Sequence, residues 1–260
     1  MFNQFLSTLS LVSRFPITGR FMGGKFDVSR MDFYLPITGI VPALLGTLVL
    51  GGVYLLTKSP LIAVILSLTG QYLGFNLFHL DGLMDTADAF LGVFDREKRL
   101  EVLKDSRIGV YGFFAGFAIL SLKGALLYTL FPWIAHFPAI LLAYPISGRF
   151  SAALIPALTG PAKPSGLGAL AKDARPYRAI AGLFTGLVLW FALLLIFKAP
   201  EQRGLILLAV PLVSPLVSVF FARLYKDQLG GYTGDTLGAA VEISEVLHLG
   251  VACVLIFAFR

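Results

Sequence analysis

The chain has 260 residues, of which 57% are hydrophobic and 14% charged, with 21 basic and 15 acidic residues and a net charge of +6. A water-soluble domain of this length carries about a quarter charged residues, so most of these side chains do not face water, and a mean hydropathy of +0.83 agrees. In such a chain the placement of the basic residues matters more than their sum, which removes the usual reason to read a basic balance as nucleic-acid binding.

The first 15 residues place Phe2, Phe5, Leu6, Leu9 and Val12 at helical spacing with Asn3, Gln4, Ser7, Thr8 and Ser10 between them. This pattern suits a helix lying in the membrane interface and equally one packed against the spans. No short apolar core with a small-residue cleavage site precedes Arg14, so no cleavable signal peptide is expected. Cys253 is alone, which leaves no intramolecular disulfide.

A membrane-crossing helix needs about 20 mostly apolar residues. Seven segments qualify: Leu35–Leu56, Pro60–Phe78, Gly109–Phe131, Pro138–Leu158, Ala179–Phe197, Gly204–Phe221 and Leu237–Phe259. The expected fold is an all-α polytopic membrane bundle of about seven spans plus the N-terminal helix, forming one domain over residues 1–260. Sixteen basic residues fall before the first span, between spans two and three, between spans four and five, and after span six. The opposite side keeps Lys58, Lys198, Arg203 and Arg260, and Lys123 lies within a span. The positive-inside rule then puts the N-terminus in the cytoplasm and the C-terminus outside. Of the acids, only Glu201 falls outside, so function is expected at the cytoplasmic face of the inner membrane.

Span two runs into His79-Leu80-Asp81-Gly82-Leu83-Met84-Asp85-Thr86-Ala87-Asp88. At 3.6 residues per turn, Asp81, Asp85 and Asp88 share a stripe about 60° wide, and His79 points about 160° away from Asp81. Three carboxylates on one stripe repel one another unless a cation neutralises them, and Mg²⁺ takes one or two carboxylates together with substrate phosphate oxygens. The plainer reading is a solvated helix end, but no Lys or Arg is interleaved. For His79, a structural and a catalytic role stand level. In the loop that follows, Arg96 to Glu101 read as an exposed amphipathic helix. Lys104-Asp105-Ser106-Arg107 abuts span three, where Lys104 and Arg107 can hold a diphosphate and Asp105 can help hold metal, or all can anchor the chain at the interface.

The last span opens with Gly230-Gly231-Tyr232-Thr233-Gly234-Asp235 and continues to Glu242 and Glu245. Asp235 and Glu242 share a face, and Thr233 or Asp235 can cap the helix. Glu242 and Glu245 lie where the helix enters hydrocarbon and must therefore face the bundle interior, with a metal or a basic substrate group as expected partner. The glycine-rich approach offers backbone N–H groups at Gly234 to a phosphate; the plainer reading is a cap with packing glycines. Arg149, Lys163 and Arg178 are expected to complete the pocket from the loop after span four.

Three stretches, His79 to Asp88, Lys104 to Gly112 and Thr233 to Ala239, together with Ser13-Arg14-Phe15-Pro16-Ile17 and Phe33 to Gly39, make the sequence resemble the cobalamin synthase family (adenosylcobinamide-GDP ribazoletransferase). One departure is Pro161-Ala162-Lys163, which stands where the family carries a Tyr-Ala-Arg-like stretch before Gly166-Leu167-Gly168. The resemblance implies a Mg²⁺-dependent transferase that joins adenosylcobinamide-GDP to α-ribazole or its 5′-phosphate and releases GMP. Helix geometry, and not the resemblance, assigns the expected metal set: Asp81, Asp85, Asp88, Asp105, Asp235 and Glu242. Asp88 and His79 are the catalytic candidates, and Lys104, Arg107, Arg149, Lys163 and Gly234 the substrate-binding ones. The lipid bilayer is the other expected partner, nucleic acid is not expected, and homo-oligomerisation stays open. Two competing readings are a CDP-alcohol-type phosphotransferase, whose signature wants Ala-Arg soon after Asp-Gly where this chain has Leu83-Met84-Asp85, and a cation-coupled transporter, which wants polar groups at the bilayer midplane.

Overall fold

The computed structural model describes residues 2–14, 26–105, 107–134, 142–195 and 210–258. Helix α1 (Phe2–Leu11) is followed by α2 (Met31–Thr38), α3 (Ile40–Thr57) and α4 (Pro60–Gln71). A single π turn, Tyr72–Asn76, joins α4 to α5 (Leu77–Gly92) without a break. Then come α6 (Arg96–Val102), α7 (Val110–Ile134), α8 (Tyr144–Leu158), a 3₁₀ turn at Leu167–Ala171, α9 (Pro176–Leu195), α10 (Val213–Leu229) and α11 (Gly234–Ala258).

Local chemistry sets several ends. Lys58 adopts φ 54 to close α3, and Ser59 caps α4 by accepting from the Ile62 N–H while Pro60 fills the first helical position. Asp95 caps α6 through the Lys98 N–H. Gly230 at φ 77 ends α10, with the Gly230 N–H on the Lys226 carbonyl and the Gly231 N–H on Tyr225, a Schellman closure that needs the left-handed conformation glycine supplies.

Among the described residues, five helical segments are long and apolar enough to cross a membrane: Met31–Thr57, Pro60–Gly92, Val110–Ile134, Pro176–Leu193 and Gly234–Ala258. Their outer faces expose Leu55, Leu56, Phe113, Phe114, Phe117, Val188 and Val254 as an apolar surface suited to lipid. The chain is a multi-pass, all-helical membrane protein. The two other expected spans are shorter where they are described. α8 has 15 residues and α10 has 17, and the expected starts at Pro138 and Gly204 lie outside the described residues. α8 is not a peripheral span but the centre of the bundle, buried at every residue from Tyr144 to Pro156 and packed by α2, α9, α10 and α11.

α1 packs against α2. Its buried residues are Ser7, Thr8 and Leu9, so the small polar side faces the protein, because small side chains let helices approach closely; the Thr8 hydroxyl bonds back to the Gln4 carbonyl. Phe2 is left exposed. Packing against the spans, one of the two sequence readings, is observed.

Candidate active site at the crossing of two helices

The site begins with glycines. α5 and α11 meet where a Cβ on Gly82 would lie 2.6 Å from the Asp235 carbonyl oxygen and 2.8 Å from its Cα, and where one on Gly238 would lie 3.0 Å from the His79 carbonyl oxygen. Only residues without side chains permit this approach. It brings the Asp81/Asp85 stripe of one helix against Asp235 at the start of the other. The carboxylate of Asp85 feels the charges of Asp81, Asp235, Asp88 and Asp105, strongest first, so acids from three elements share one electrostatic neighbourhood. Asp81 is exposed and Asp85 half-buried, and no protein donor bonds either carboxylate among the described residues.

Asp88 is used differently. Its two oxygens accept the Gly109 N–H at 2.8 Å and the Gly112 N–H at 2.9 Å. That makes it the N-terminal anchor of α7, where a carboxylate also meets the helix dipole. A Cβ at either glycine would lie 2.3 Å from Asp88. The carboxylate thus fixes α7 to α5, an arrangement not legible from the stripe alone. Asp105 accepts three bonds from the Arg107 side chain, at 2.9, 3.0 and 2.5 Å, and these hold its carboxyl down to about 2. Ser106 between them lies outside the described residues.

Lys163, Gly234 and Asp235 line one pocket of about 190 Å³, with Gly166, Gly168 and Thr233. Pro161 and Tyr232 form a backbone bridge that holds the loop carrying Lys163 against the start of α11. Partial burial and the nearby Lys104 lower the Lys163 ammonium, while Asp235 raises it. Lys163 and Asp235 thus line one pocket, within electrostatic reach of Lys104. This mixed charge suits a phosphate bound through cations beside a carboxylate that favours a second cation. Arg178 is elsewhere, paired with Asp32 at 2.9 Å. His79 is buried and its Nδ1 has no hydrogen-bond partner; it lies behind the crossing, in a small apolar pocket with Gly234 and Gly238.

Glu242 and Arg149 do not join this cluster. Both are fully buried in a second set of charges deeper in the bundle. Lys123 donates to Glu242 Oε2 and Glu245 Oε2, both at 2.7 Å. Arg149 reaches Glu245 at 3.3 Å and the Asn76 side-chain oxygen at 3.0 Å. Asn76 in turn donates to both glutamates, and the Tyr72 hydroxyl donates to Glu242 at 2.5 Å. The expected partner of the two glutamates was a metal or a substrate cation; the structure instead gives them Lys123 and Arg149. Two acids and two cations balance, which is how ionised groups persist in a bundle interior. The sequence signal that identifies this set is Lys123 itself, a lone cation inside an apolar span. The π turn supplies both Tyr72 and Asn76, a placement periodicity does not reveal.

Among the described residues no three or more His, Cys, Asp or Glu side chains stand close enough to hold a metal ion by themselves. The donor set at the crossing is nonetheless of the right kind for a hard cation. Asp81, Asp85 and Asp235 offer only oxygen, and Mg²⁺ is commonly held by one or two carboxylates and completed by substrate phosphates.

Comparisons with known proteins cover nearly the whole chain. The family description cobalamin-5-phosphate synthase matches residues 4–253. Among curated proteins, an adenosylcobinamide-GDP ribazoletransferase of Bradyrhizobium diazoefficiens is 35% identical, covering 94% of this chain and 90% of its own length. One of Thermosipho melanesiensis is 30% identical over 96% and 98%, and one of Sinorhizobium medicae 31% over 94% and 93%. No solved structure matches the chain. With a match of this extent, the chain belongs to the cobalamin-5-phosphate synthase family.

Proposed function

We propose that the chain is an adenosylcobinamide-GDP ribazoletransferase, that it depends on Mg²⁺, and that it works at the cytoplasmic face of the inner membrane. The observation that carries the reading is the Gly82/Gly238 crossing. It places Asp81 and Asp85 against Asp235 with no protein cation bonded to Asp81 or Asp85, beside a pocket that holds Lys163 and Gly234.

In the reaction, a ribose hydroxyl of the acceptor attacks the diphosphate phosphorus that carries the cobinamide. A new oxygen–phosphorus bond forms as the bond to the bridging oxygen breaks, GMP leaves with that oxygen, and the hydroxyl proton passes to a carboxylate of the cluster. Asp81, Asp85 and Asp235 would hold Mg²⁺, which when bound would neutralise diphosphate charge and favour displacement of GMP. Lys163 and Lys104 hold the phosphates from the other side, and Gly234 at the start of α11 lines the same pocket. Asp88 keeps α5 and α7 in register. His79, being buried behind the crossing, supports the helix contact. Glu242 and Arg149 act at a distance, by fixing α11 against α4, α5, α7 and α8.

The test is turnover by the purified, folded chain. Incubation with adenosylcobinamide-GDP, α-ribazole and Mg²⁺ is expected to release GMP, and chelation to stop it. No GMP from well-folded protein rejects the reading. Release of CMP from a CDP-alcohol under the same conditions would support the alternative phosphotransferase.

A further inference from the structure

A second and larger cavity, about 420 Å³, opens on the other partner of the acidic crossing. It lies between the turn after α1, which contributes Ser13 and Arg14, and the π turn with the start of α5, which contributes Tyr72, Phe75 and Phe78 and ends at Asp81. The two walls are tied together by the Arg14 N–H donating to the Gly74 carbonyl at 3.0 Å. No residue is shared with the Lys163 pocket. The site therefore has two chambers, one reaching Asp81 and the other Asp235, and the Gly82 contact joins them.

Three features of the cavity point to one kind of occupant. Its volume suits a single small ligand and cannot take a corrinoid with its side chains. Tyr72, Phe75 and Phe78 line its wall, and the exposed Phe78 ring offers a surface on which a planar base stacks. Its polar groups are unspent: the Ser13 hydroxyl is buried with no hydrogen-bond partner, and the Arg14 guanidinium makes no ion pair among the described residues. An arginine in such a position binds a phosphate in bidentate fashion.

We infer that this cavity is the acceptor subsite and that it takes an aromatic ribonucleoside, with the base against Phe75 and Phe78, a ribose hydroxyl toward Asp81, and any 5′-phosphate on Arg14. The inference rests on the proposed transferase reading, and it divides the substrates: the acceptor enters under α1 and the diphosphate donor lies on the Lys163 side. Arg14 is then the residue that distinguishes the phosphorylated from the unphosphorylated acceptor.

The experiment measures equilibrium binding of α-ribazole and α-ribazole 5′-phosphate to the full chain in lipid nanodiscs, together with KM for each substrate. Arg14→Ala is expected to weaken the 5′-phosphate at least tenfold and α-ribazole by less than threefold, with the KM for adenosylcobinamide-GDP unchanged; Arg14→Lys restores part of the loss. Phe78→Leu is expected to weaken both acceptors by a similar factor. Variants that raise the donor KM while both acceptors bind as before overturn the subsite. So does an Arg14→Ala effect seen only as altered dependence on anionic lipid, which would make the occupant a lipid headgroup. Failure of the transferase reading looks different: the wild type then binds no acceptor and releases no GMP.

Discussion

α11 carries two kinds of acid two helical turns apart, and they have opposite surroundings. At Asp235 the helix meets the Asp81/Asp85 stripe, and Asp81 and Asp85 bond no protein donor among the described residues. At Glu242 and Glu245 the same helix meets Lys123, Arg149, Asn76 and Tyr72, and every carboxylate oxygen has a donor. Asp81 and Asp85 have no bonded protein cation among the described residues, whereas the second group is neutralised by the protein itself. An acid in a membrane protein is thus a functional candidate by default only until its partners are known, and completeness of partnering separates a reactive site from a brace.

Substitutions should separate the two regions, with the largest effect at the reactive one. Asp81→Asn or Asp235→Asn is expected to lower GMP release by about 10²–10³-fold, since losing a carboxylate at a metal-assisted phosphoryl transfer removes several kcal/mol of transition-state stabilisation. The thermal midpoint should hold or rise, because a charge leaves a like-charged cluster. Lys123→Met should do the reverse, costing about 3–5 kcal/mol of stability by stranding buried carboxylates, read as lost monodisperse protein; adding Glu242→Gln to it should recover part of the loss. Full yield and stability for Lys123→Met would show that the brace is not what holds the bundle.

Smaller effects refine the geometry. Gly82→Ala should cost about 1–3 kcal/mol and most of the activity, since its Cβ would meet backbone at 2.6 Å. Gly238→Ala, whose nearest contact is 3.0 Å, should be milder in both assays; equal effects would mean the crossing is not set by Gly82. The smallest structural effect belongs to Asp105→Asn. Arg107 holds the Asp105 carboxyl at about 2, below its ordinary 3.8, so its contribution is present above the ordinary value and is lost only as pH falls through the lowered one. Because the pair is exposed, the thermal midpoint near neutral pH should not move.

The chain-order pattern of apolar segments revealed the membrane bundle and, through shared helical faces, the Asp81/Asp85 stripe. It grouped Asp235 with Glu242 because both lie on one face of α11, and a helical wheel says nothing of what lies opposite each turn. The answer comes from Lys123 on α7 and Arg149 on α8, residues 119 and 96 positions distant in sequence from their glutamate partners. Asp88 was legible as part of the stripe but not as the cap of α7, since the N–H groups it binds carry no side-chain signature. The centrality of α8 was likewise hidden, because an apolar helix buried by protein and one facing lipid have the same composition. Arg14 was visible as an N-terminal cation within one of the stretches that carry the resemblance, but its place beside the π turn was not.

Manganese binding tests the contrast most directly, since Mn²⁺ occupies the same oxygen sites as Mg²⁺ and is read by electron paramagnetic resonance. With the donor nucleotide present, the wild-type chain should take up Mn²⁺ saturably, Asp81→Asn and Asp235→Asn should lose that uptake, and Glu242→Gln should retain it. Loss of the ion in folded Glu242→Gln, with binding intact in both aspartate variants, would contradict the account.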